Sequence, residues 1–267
     1  MIKNIFFRQY YLRTNEMRDK MKKILMFIIL FAFPLTLTVS ADGWGFVKNK
    51  THTLPDVGKY EQIIKGTDSY YHGDTTKKEV YLTFDVGYDN GNLSEILDIL
   101  DDNNVRATFF LTGDFVKRFQ NLAIRLAYSN HLIGSHSYYH RPITSLSKDE
   151  LKKDLDLLQD EYYKITSKRL SYYFRPPAGV FDHNSLLNVA SLGYKSIFWS
   201  AAWRDWITTE QGSVDSYRSY FDQLHNGAFV LIHTVSTSNK NALDKIIKDT
   251  INLGYAFKTV DEVGNKS

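Results

Sequence analysis

From Lys78 onward, short runs of β-branched and aromatic residues alternate with amphipathic segments. This alternation predicts parallel strands joined by crossover helices, because neighbouring parallel strands cannot be connected by a tight turn. We therefore expect an α/β fold with about seven parallel strands, one fewer than a standard eight-stranded barrel. The strand candidates are residues 80–84, 107–111, 132–135, 172–174, 195–200, 228–232 and 255–260.

Helix candidates fill the intervals between these strands. Residues 93–103 place four apolar side chains on one face, and residues 147–165 begin with the capping-box sequence SKDE. Gly193 and Gly254 are predicted to end two further helices. Residues 42–78 lack the alternation, and we expect them to form an extension packed on the outside of the barrel, with a mobile linker as the alternative.

The remaining segments lie on either side of one predicted domain at residues 79–262, with a short tail at 263–267. Near the N-terminus, Met21-Lys22-Lys23 precede an uncharged apolar run from Ile24 to Val39, and small residues follow it. This pattern predicts a secretory signal over residues 1–41. The apolar run is shorter than the roughly 20 residues of a membrane span, so an uncleaved anchor is the alternative.

Positive charge is concentrated in the predicted signal. Its basic residues exceed its acidic residues by five, whereas the whole chain has a net charge of +3, so the remainder is slightly acidic. Because no broad basic field remains, we expect no nucleic-acid partner. The chain contains no cysteine. Disulfides and thiolate zinc sites are therefore excluded, and any metal must be bound by histidine, carboxylate or water.

Polar and charged side chains follow five of the predicted strands. Because the carboxyl ends of parallel strands meet at one end of the fold, where substrate sites form, we expect these side chains to converge. They are Asp85, then His136 and His140, then Arg175, then Asp205 with Trp206, and finally His233.

Each of these signals also has a purely structural explanation. Asp85 could cap the following segment. The two histidines after residues 132–135 could be surface or hydrogen-bonded groups, and His233 could be a core histidine with satisfied hydrogen bonds. Arg175 begins the rigid sequence Arg-Pro-Pro-Ala-Gly, where a structural salt bridge is the alternative. Their joint occurrence at one end of the sheet favours a functional site.

Together these groups can hydrolyse an amide or an ester. The three residues between His136 and His140 allow both imidazoles to face one divalent ion, which would lower the pKa of a bound water to roughly 7 if the ion were zinc. Asp85 fits a general base, and a paired Arg175 would keep it ionised.

The second half of the reaction requires an acid and an oxyanion site. His233, held by Asp205, fits the acid that protonates the leaving amine. The rigid proline loop would direct the backbone N–H of Ala178 towards a tetrahedral oxyanion.

These residues lie in motifs that resemble the five motifs of the NodB-homology polysaccharide deacetylases, over residues 79–262. The motifs are Thr83-Phe84-Asp85, His136-Ser-x-x-His140, Arg175-Pro-Pro-x-Gly179, Asp205-Trp206 and Leu231-x-His233. The resemblance implies a distorted (β/α) barrel that removes acetyl groups from sugars with a divalent metal, usually Zn²⁺, with Mn²⁺, Co²⁺ and Mg²⁺ as alternatives. It implies the same residue roles as those argued above.

The chain departs from this family pattern at Val86. Family members typically have a second acid there, which serves as the third protein ligand of the metal, and an isopropyl group cannot coordinate an ion. The metal is then expected to be bound by two histidines with water and substrate. As the alternative, a nearby oxygen from Asp89 or Asn90 takes the third position.

Further features resemble the delta-lactam-biosynthetic de-N-acetylases of spore formers. They are the nonacid at position 86, the GYxNG sequence at 87–91, the upstream GWGF, WSxA at 199–202 and HTVS at 233–236. This resemblance implies N-acetylmuramic acid in peptide-free peptidoglycan as the substrate, on the way to the muramic δ-lactam of the spore cortex.

The resemblance and the predicted signal together indicate an exported monomer in the cell envelope or spore cortex region. Its expected partner is the peptidoglycan glycan strand, and it would meet a membrane only through an uncleaved signal. Tyr138, Trp206 and Pro177 are candidate sugar contacts. The competing functions are deacetylation of N-acetylglucosamine in peptidoglycan or chitooligosaccharides, and sugar binding by a pseudoenzyme that does not catalyse.

Overall fold

The computed structural model describes residues 42–206 and 212–263. The predicted signal at residues 1–41 and the tail from residue 264 onward lie outside these ranges. Within the described ranges, no helix is both long enough and apolar enough to cross a membrane.

Within the described residues, ten strands form a central sheet and a small ribbon. Eight parallel strands make the sheet. Seven follow the order β10-β3-β4-β5-β6-β8-β2, and the eighth, β9, pairs with β3 outside this order. The remaining two, β1 and β7, form an antiparallel ribbon. The strands are β1 (Asp42–Gly43), β2 (Ser69–Tyr70), β3 (Glu79–Val86), β4 (Thr108–Leu111), β5 (Leu132–Ser135), β6 (Tyr173–Phe174), β7 (Val180–Phe181), β8 (Lys195–Ile197), β9 (Ala228–His233) and β10 (Ala256–Phe257).

All seven predicted strands are present, and the predicted fold class is confirmed. The eighth strand, β2, lies in the segment that was expected to pack only on the outside of the barrel. It pairs in parallel with β8, where Ser69 is opposite Ser196 and Tyr70 is opposite Ile197. Residues 42–78 therefore contribute a strand of the sheet, and they are not a free linker.

Backbone hydrogen bonds of Ala201 connect the segment after β8 to β9. Ala201, which follows β8, donates its N–H to the carbonyl of Phe229 at 3.0 Å and accepts the N–H of Leu231 at 2.9 Å. Because Phe229 and Leu231 belong to β9, this bridge brings the β8 end of the sheet to β9 and gives a distorted barrel.

Eight helices within the described residues connect the strands. Both predicted helices are present within a residue of their expected ends, and the capping box between Ser147 and Glu150 is formed. Short 3₁₀ turns occur at Ile143–Ser145, Pro177–Gly179 and Val260–Glu262. The helices are α1 (Tyr60–Ile64), α2 (Asn92–Asp102), α3 (Gly113–Arg118), α4 (Gln120–Ala127), α5 (Lys148–Thr166), α6 (His183–Ser191), α7 (Ser213–Phe221) and α8 (Thr237–Asn252).

Alternation along β3 separates the outer core from the barrel interior. Leu82, Phe84 and Val86 belong to the large apolar cluster that also contains the buried face of α2. Tyr81 belongs to the interior cluster, and side chains two residues apart on a strand share a face. Asp85, four residues after Tyr81, is therefore directed to the interior at the end of the strand, whereas its neighbour Val86 packs in the outer layer.

Candidate active site

Asp85 is held at the end of β3 by a buried ion pair. Its Oδ1 accepts a hydrogen bond from Nη1 of Arg175 at 2.8 Å, and the guanidinium is fully buried. Burial raises the pKa of Asp85, but the charges of Arg175, His136 and His233 outweigh burial, so the pKa lies below its usual value. Asp85 is therefore ionised at neutral pH.

Arg175 is fixed by more than its carboxylate partner. Its Nη2 donates to the hydroxyl of Thr83 at 2.7 Å and its Nε donates to the carbonyl of Ile197 at 3.2 Å. The guanidinium also lies 4.4 Å from the ring centre of Phe110. These contacts come from three different strands, and they leave one Asp85 oxygen, Oδ2, directed towards the histidines.

His136 and His140 present their Nε2 atoms to the same space. The two nitrogens lie 3.2 Å apart, and Oδ2 of Asp85 lies 3.6 Å from Nε2 of His136. Nδ1 of His136 faces the carbonyl of Arg175 at 2.9 Å, and because a carbonyl only accepts, this nitrogen carries the proton. The lone pair of the neutral ring is therefore on Nε2.

Burial keeps both of these imidazoles neutral. It lowers the pKa of His136 to about 4, despite the opposing effect of Asp85, and it lowers the pKa of His140 as well. Neutral imidazole is the form of histidine that binds a divalent ion, and the two Nε2 atoms face the same space, so these two residues fit a metal site.

The turn that carries the two histidines is anchored by Asp154 of α5. This buried carboxylate accepts the backbone N–H groups of Tyr138 and Tyr139, at 2.8 and 3.2 Å. His140 itself has a positive φ of 53°, a conformation that a side-chain-bearing residue adopts only when its surroundings impose it. Asp154 is thus a positioning residue for the histidine pair.

The acidic residue that serves as the third metal ligand in the family pattern is absent from this site. Across residues 42–206 and 212–263, no three His, Cys, Asp or Glu side chains form a group that could hold a metal ion. Val86 is fully buried in the outer core. Oδ1 of Asp89 accepts the N–H of Leu93 at 3.0 Å and so caps the start of α2, and its role as a third ligand stays a prediction.

His233 and Asp205 form a second hydrogen-bonded pair. Oδ1 of Asp205 accepts from Nδ1 of His233 at 2.7 Å, and Oδ2 accepts the His233 backbone N–H at 2.7 Å and the Asn239 amide at 2.6 Å. Burial lowers the pKa of His233, but the hydrogen bond and charge of Asp205 outweigh it, so the pKa is raised. The proton available to a substrate is then on Nε2.

Strand pairing sets the distance between these two groups. Asp85 and His233 are register partners on the adjacent parallel strands β3 and β9. Register partners of parallel strands share a face and lie about 4.8 Å apart. The carboxylate and the imidazole therefore project from the same end of the barrel side by side.

The proline loop beside the site is packed against the N-terminal segment. Within it, Pro177 is buried, Ala178 is exposed with a φ of 53°, and Gly179 has a φ of 63°. The Gly179 carbonyl accepts the N–H of Trp44 at 2.8 Å. The Trp44 indole N–H donates to the carbonyl of Trp199 at 2.8 Å, which holds this loop against the barrel.

Aromatic side chains border the site on two sides. Tyr138 is half-buried and, together with Tyr139 and His140, lines a cleft of about 510 Å³. Trp206 is more than half exposed, and its ring centre lies 5.6 Å from that of His233. Both predicted aromatic sugar contacts are therefore near the histidines.

The sequence comparisons agree with this arrangement. A family model described as polysaccharide deacetylase matches residues 72–197. The peptidoglycan-N-acetylmuramic acid deacetylase PdaA of Bacillus subtilis is 42% identical over 222 residues, which cover 82% of this chain and 84% of PdaA. This chain belongs to the polysaccharide deacetylase family.

Solved structures of polysaccharide deacetylases share this fold. The structure of Bacillus subtilis PdaA, a family 4 carbohydrate esterase, matches with a TM-score of 0.81 and 40% identity over 85% of this chain and 98% of that one. A family 4 pseudoenzyme from Bacillus anthracis matches with a TM-score of 0.67 and 31% identity over 73% and 68% of the respective chains. The resemblance drawn from the motifs is confirmed.

A relative with a different stated substrate is more distant. The peptidoglycan-N-acetylglucosamine deacetylase of Bacillus cereus is 29% identical over 194 residues, which cover 71% of this chain and 70% of that protein. Polysaccharide deacetylases of carbohydrate esterase family 4 are metalloenzymes, which agrees with the orientation of the histidine pair.

Three residues of the deacetylase site were missed or given no role by the sequence reasoning. Thr83 was part of a motif but had no assigned function, although its hydroxyl accepts from Arg175. Asp154 and Asn239 lie within amphipathic helices. The only signal for them is a polar residue on the buried face of each helix, next to apolar side chains such as Leu155 and Ala242.

Proposed function

We propose that this protein removes the N-acetyl group of N-acetylmuramic acid in peptidoglycan, a step towards the muramic δ-lactam of the spore cortex. The observation that carries the proposal is the convergence of Asp85, the His136–His140 pair and His233 at one end of the barrel. The choice of sugar follows the stated activity of the relative PdaA.

His136 and His140 would hold the divalent ion through Nε2, and we propose zinc for this role, with Mn²⁺, Co²⁺ and Mg²⁺ as alternatives. When bound, the ion supplies Lewis-acid polarisation of the acetyl carbonyl. Val86 contributes no ligand, so this chain provides two imidazoles where the family pattern provides two imidazoles and a carboxylate.

Asp85 acts as the general base in the proposed reaction. Oδ2 takes a proton from the water that attacks the amide carbon, while Oδ1 stays bonded to Arg175. Arg175 positions this carboxylate and keeps it ionised until the proton arrives. The backbone N–H of Ala178 is the proposed donor to the oxyanion that forms.

His233 acts as the general acid. Asp205 holds Nδ1, so the imidazolium delivers its Nε2 proton to the amide nitrogen as the carbon–nitrogen bond breaks. The products are acetate and a free amine on the sugar. We propose that Tyr138 and Trp206 contact the sugar rings. Pro177, the third candidate contact, is buried in the proline loop, and its contact with the sugar stays a prediction.

Residues 1–41 are proposed to direct export, so that the enzyme acts as a monomer in the cell envelope or spore cortex region. Peptidoglycan glycan strands are then its partner. This location suits a substrate that exists only outside the cytoplasm.

Two other functions compete with this proposal, and the experiment described below distinguishes them from it. Deacetylation of N-acetylglucosamine is the stated activity of a more distant relative. A non-catalytic role is suggested by the resemblance to a pseudoenzyme and by Val86. The complete set of base, base partner, acid and acid partner favours catalysis over both binding alone and a structural role.

The test is product analysis on peptide-free peptidoglycan glycan strands, with the metal added back after chelation. Mass spectrometry should show loss of acetyl from muramic acid units and not from glucosamine units. Asp85→Asn should release acetate at least about 100-fold more slowly, because it removes the general base. Acetate release from glucosamine units alone would contradict the proposed substrate, and release from neither sugar would contradict catalysis.

A further inference from the structure

The cleft beside His140 is lined by a positively charged side chain, Lys117, that the proposed mechanism does not use. Lys117 of α3 lines this cleft of about 510 Å³ together with Tyr138 and His140, so the cleft is continuous with the histidine pair. Lys117 lies one turn into a six-residue helix and is exposed. Its flexible stem lets the ammonium reach groups bound in the cleft.

The ammonium of Lys117 has no carboxylate partner within the described part of the chain. The acidic residue that also lines the cleft, Asp114, is paired with Arg118 at 2.9 Å. The cleft therefore offers one uncompensated positive charge next to a metal-binding histidine. An anionic group of the substrate is the chemistry that this charge fits.

N-acetylmuramic acid carries such a group next to its reacting amide. The sugar has a lactyl ether on O3, the oxygen of the ring carbon next to the one that bears the acetamido group. In peptide-free strands this lactyl group ends in a free carboxylate, whereas in peptide-bearing strands the same carbon forms an amide. N-acetylglucosamine has only a hydroxyl there.

We infer that Lys117 binds the lactyl carboxylate and so selects muramic acid units that carry no peptide. The inference rests on the proposed function, because it requires the acetamido group to react at the histidine pair. It also requires that, when the acetyl carbonyl faces His136 and His140, the neighbouring O3 substituent extend into the space that Lys117 lines. Lys117 is then a specificity-determining residue, with no part in proton transfer.

The experiment compares Lys117→Met with Lys117→Arg on three substrates. They are peptide-free glycan strands, the same strands with the lactyl carboxylate converted to a methylamide, and N-acetylglucosamine oligomers. Lys117→Met should lower kcat/KM on peptide-free strands about two- to fivefold, mainly through KM, as expected for loss of one exposed ion pair. Lys117→Arg should retain most of the wild-type rate, and the methylamide substrate should show no dependence on residue 117.

Lys164→Met is the matched control, because Lys164 is an exposed helical lysine outside the cleft. It should leave the rates on both muramic acid substrates unchanged, and N-acetylglucosamine oligomers should release no acetate with any variant. Equal losses on both muramic acid substrates with Lys117→Met, or no loss on peptide-free strands, would overturn the inference while leaving the proposed function in place. If the wild-type protein releases no acetate from muramic units, the proposed function fails and the inference fails with it.

Discussion

Asp85 and Arg175 have different environments although they form one ion pair. The arginine is fully buried and makes hydrogen bonds to Thr83 and a backbone carbonyl as well, whereas the carboxylate keeps one oxygen free to face His136. Removing one partner of a buried pair leaves an uncompensated charge and costs about 3–5 kcal/mol. The pair therefore fixes the base in position and also couples its charge to the stability of the fold.

Val86→Asp tests the missing ligand at the scale of one side chain. We expect the metal-free variant to lose about 2–4 kcal/mol of stability, because a carboxylate replaces a methyl-bearing side chain in the apolar outer core. We expect Zn²⁺ to bind more tightly than in the wild type and to restore stability as the carboxylate turns towards the ion.

Metal titration by calorimetry, with melting curves at each metal concentration, measures both effects for Val86→Asp. Val86→Ala is the control for the lost packing, and it should destabilise without any gain in metal affinity. Equal metal affinity in the wild type and Val86→Asp would mean that the third position is already filled, for which Asp89 is the candidate.

Asp205→Asn tests the origin of the raised pKa of His233. Without the charge of Asp205, burial dominates and lowers the pKa of the imidazole. Since the acid must be protonated, the alkaline fall in kcat should move to lower pH, and kcat should drop about 10²–10⁴-fold at its optimum. Asp98→Asn, at an exposed carboxylate, should leave the pH profile unchanged.

The same pair predicts a pH dependence of stability. Because the folded-state pKa of His233 is raised above the unfolded value of about 6.5, its contribution is complete below that value and is lost as pH rises through the folded pKa. Asp205→Asn should remove this loss. An unaltered pH dependence of unfolding in the variant would mean that other groups cause it.

At the scale of elements, strands bring the reacting groups together and helices fix the loops that carry them. The clearest case is α5, whose Asp154 holds the turn between His136 and His140 through two backbone N–H groups. The metal site is thus built on a strand and stabilised from a helix that supplies no ligand.

Asp154→Ala should weaken metal binding about 10- to 100-fold, as loss of a group that orients metal ligands typically does. The two histidine side chains remain, but their turn loses both hydrogen bonds. Metal titration is the measurement, and Asp156→Ala on the exposed face of the same helix is the control. Unchanged affinity in Asp154→Ala would show that the turn keeps its shape without α5.

Gly179→Ala tests the contact between the proline loop and the N-terminal segment. A methyl group at residue 179 would lie 2.8 Å from the Trp199 ring and 3.2 Å from Cβ of Trp44, at a φ of 63°. We expect a loss of about 2–3 kcal/mol of stability from crowding and backbone strain together.

Gly193→Ala is a matched control for backbone strain alone, because Gly193 has a φ of 83° and open space around its Cα. It should cost about 1 kcal/mol. Urea unfolding measures both variants. If Gly179→Ala costs no more than Gly193→Ala, Trp44 and Trp199 do not confine the loop.

The sequence predicts the elements that have long residue patterns, but it does not predict very short strands or the roles of single helix residues. The eight-residue strand β3 has a clear apolar run, and all six charged groups and histidines placed at strand ends do converge. The strand β2 has only two residues, Ser69 and Tyr70, which is too few to show a period. Asp154 and Asn239 were not predicted because their roles depend on which backbone groups pack against each helix.

At the scale of the whole molecule, we expect the fold to form without the metal. The apolar clusters lie inside the barrel and between the sheet and the helices, and the histidine turn is held by Asp154 without an ion. The metal is therefore expected to contribute chemistry and not architecture.

Chelation tests this independence. It should abolish acetate release while the melting temperature falls by less than about 5 °C, and added Zn²⁺ should restore activity. Circular dichroism and acetate assays on the same samples give both readouts. Loss of the folded signal on chelation would mean that the ion is required for folding, as in zinc fingers.

Since Asp85 and His233 are register partners on the paired strands β3 and β9, the sheet and not a loop sets the distance between the proton acceptor and the proton donor. Segments at the rim, such as the helix that bears Lys117, can then vary without changing the distance between these two groups. Grafting rim segments between relatives is accordingly a practical route to deacetylases for other acetylated glycans.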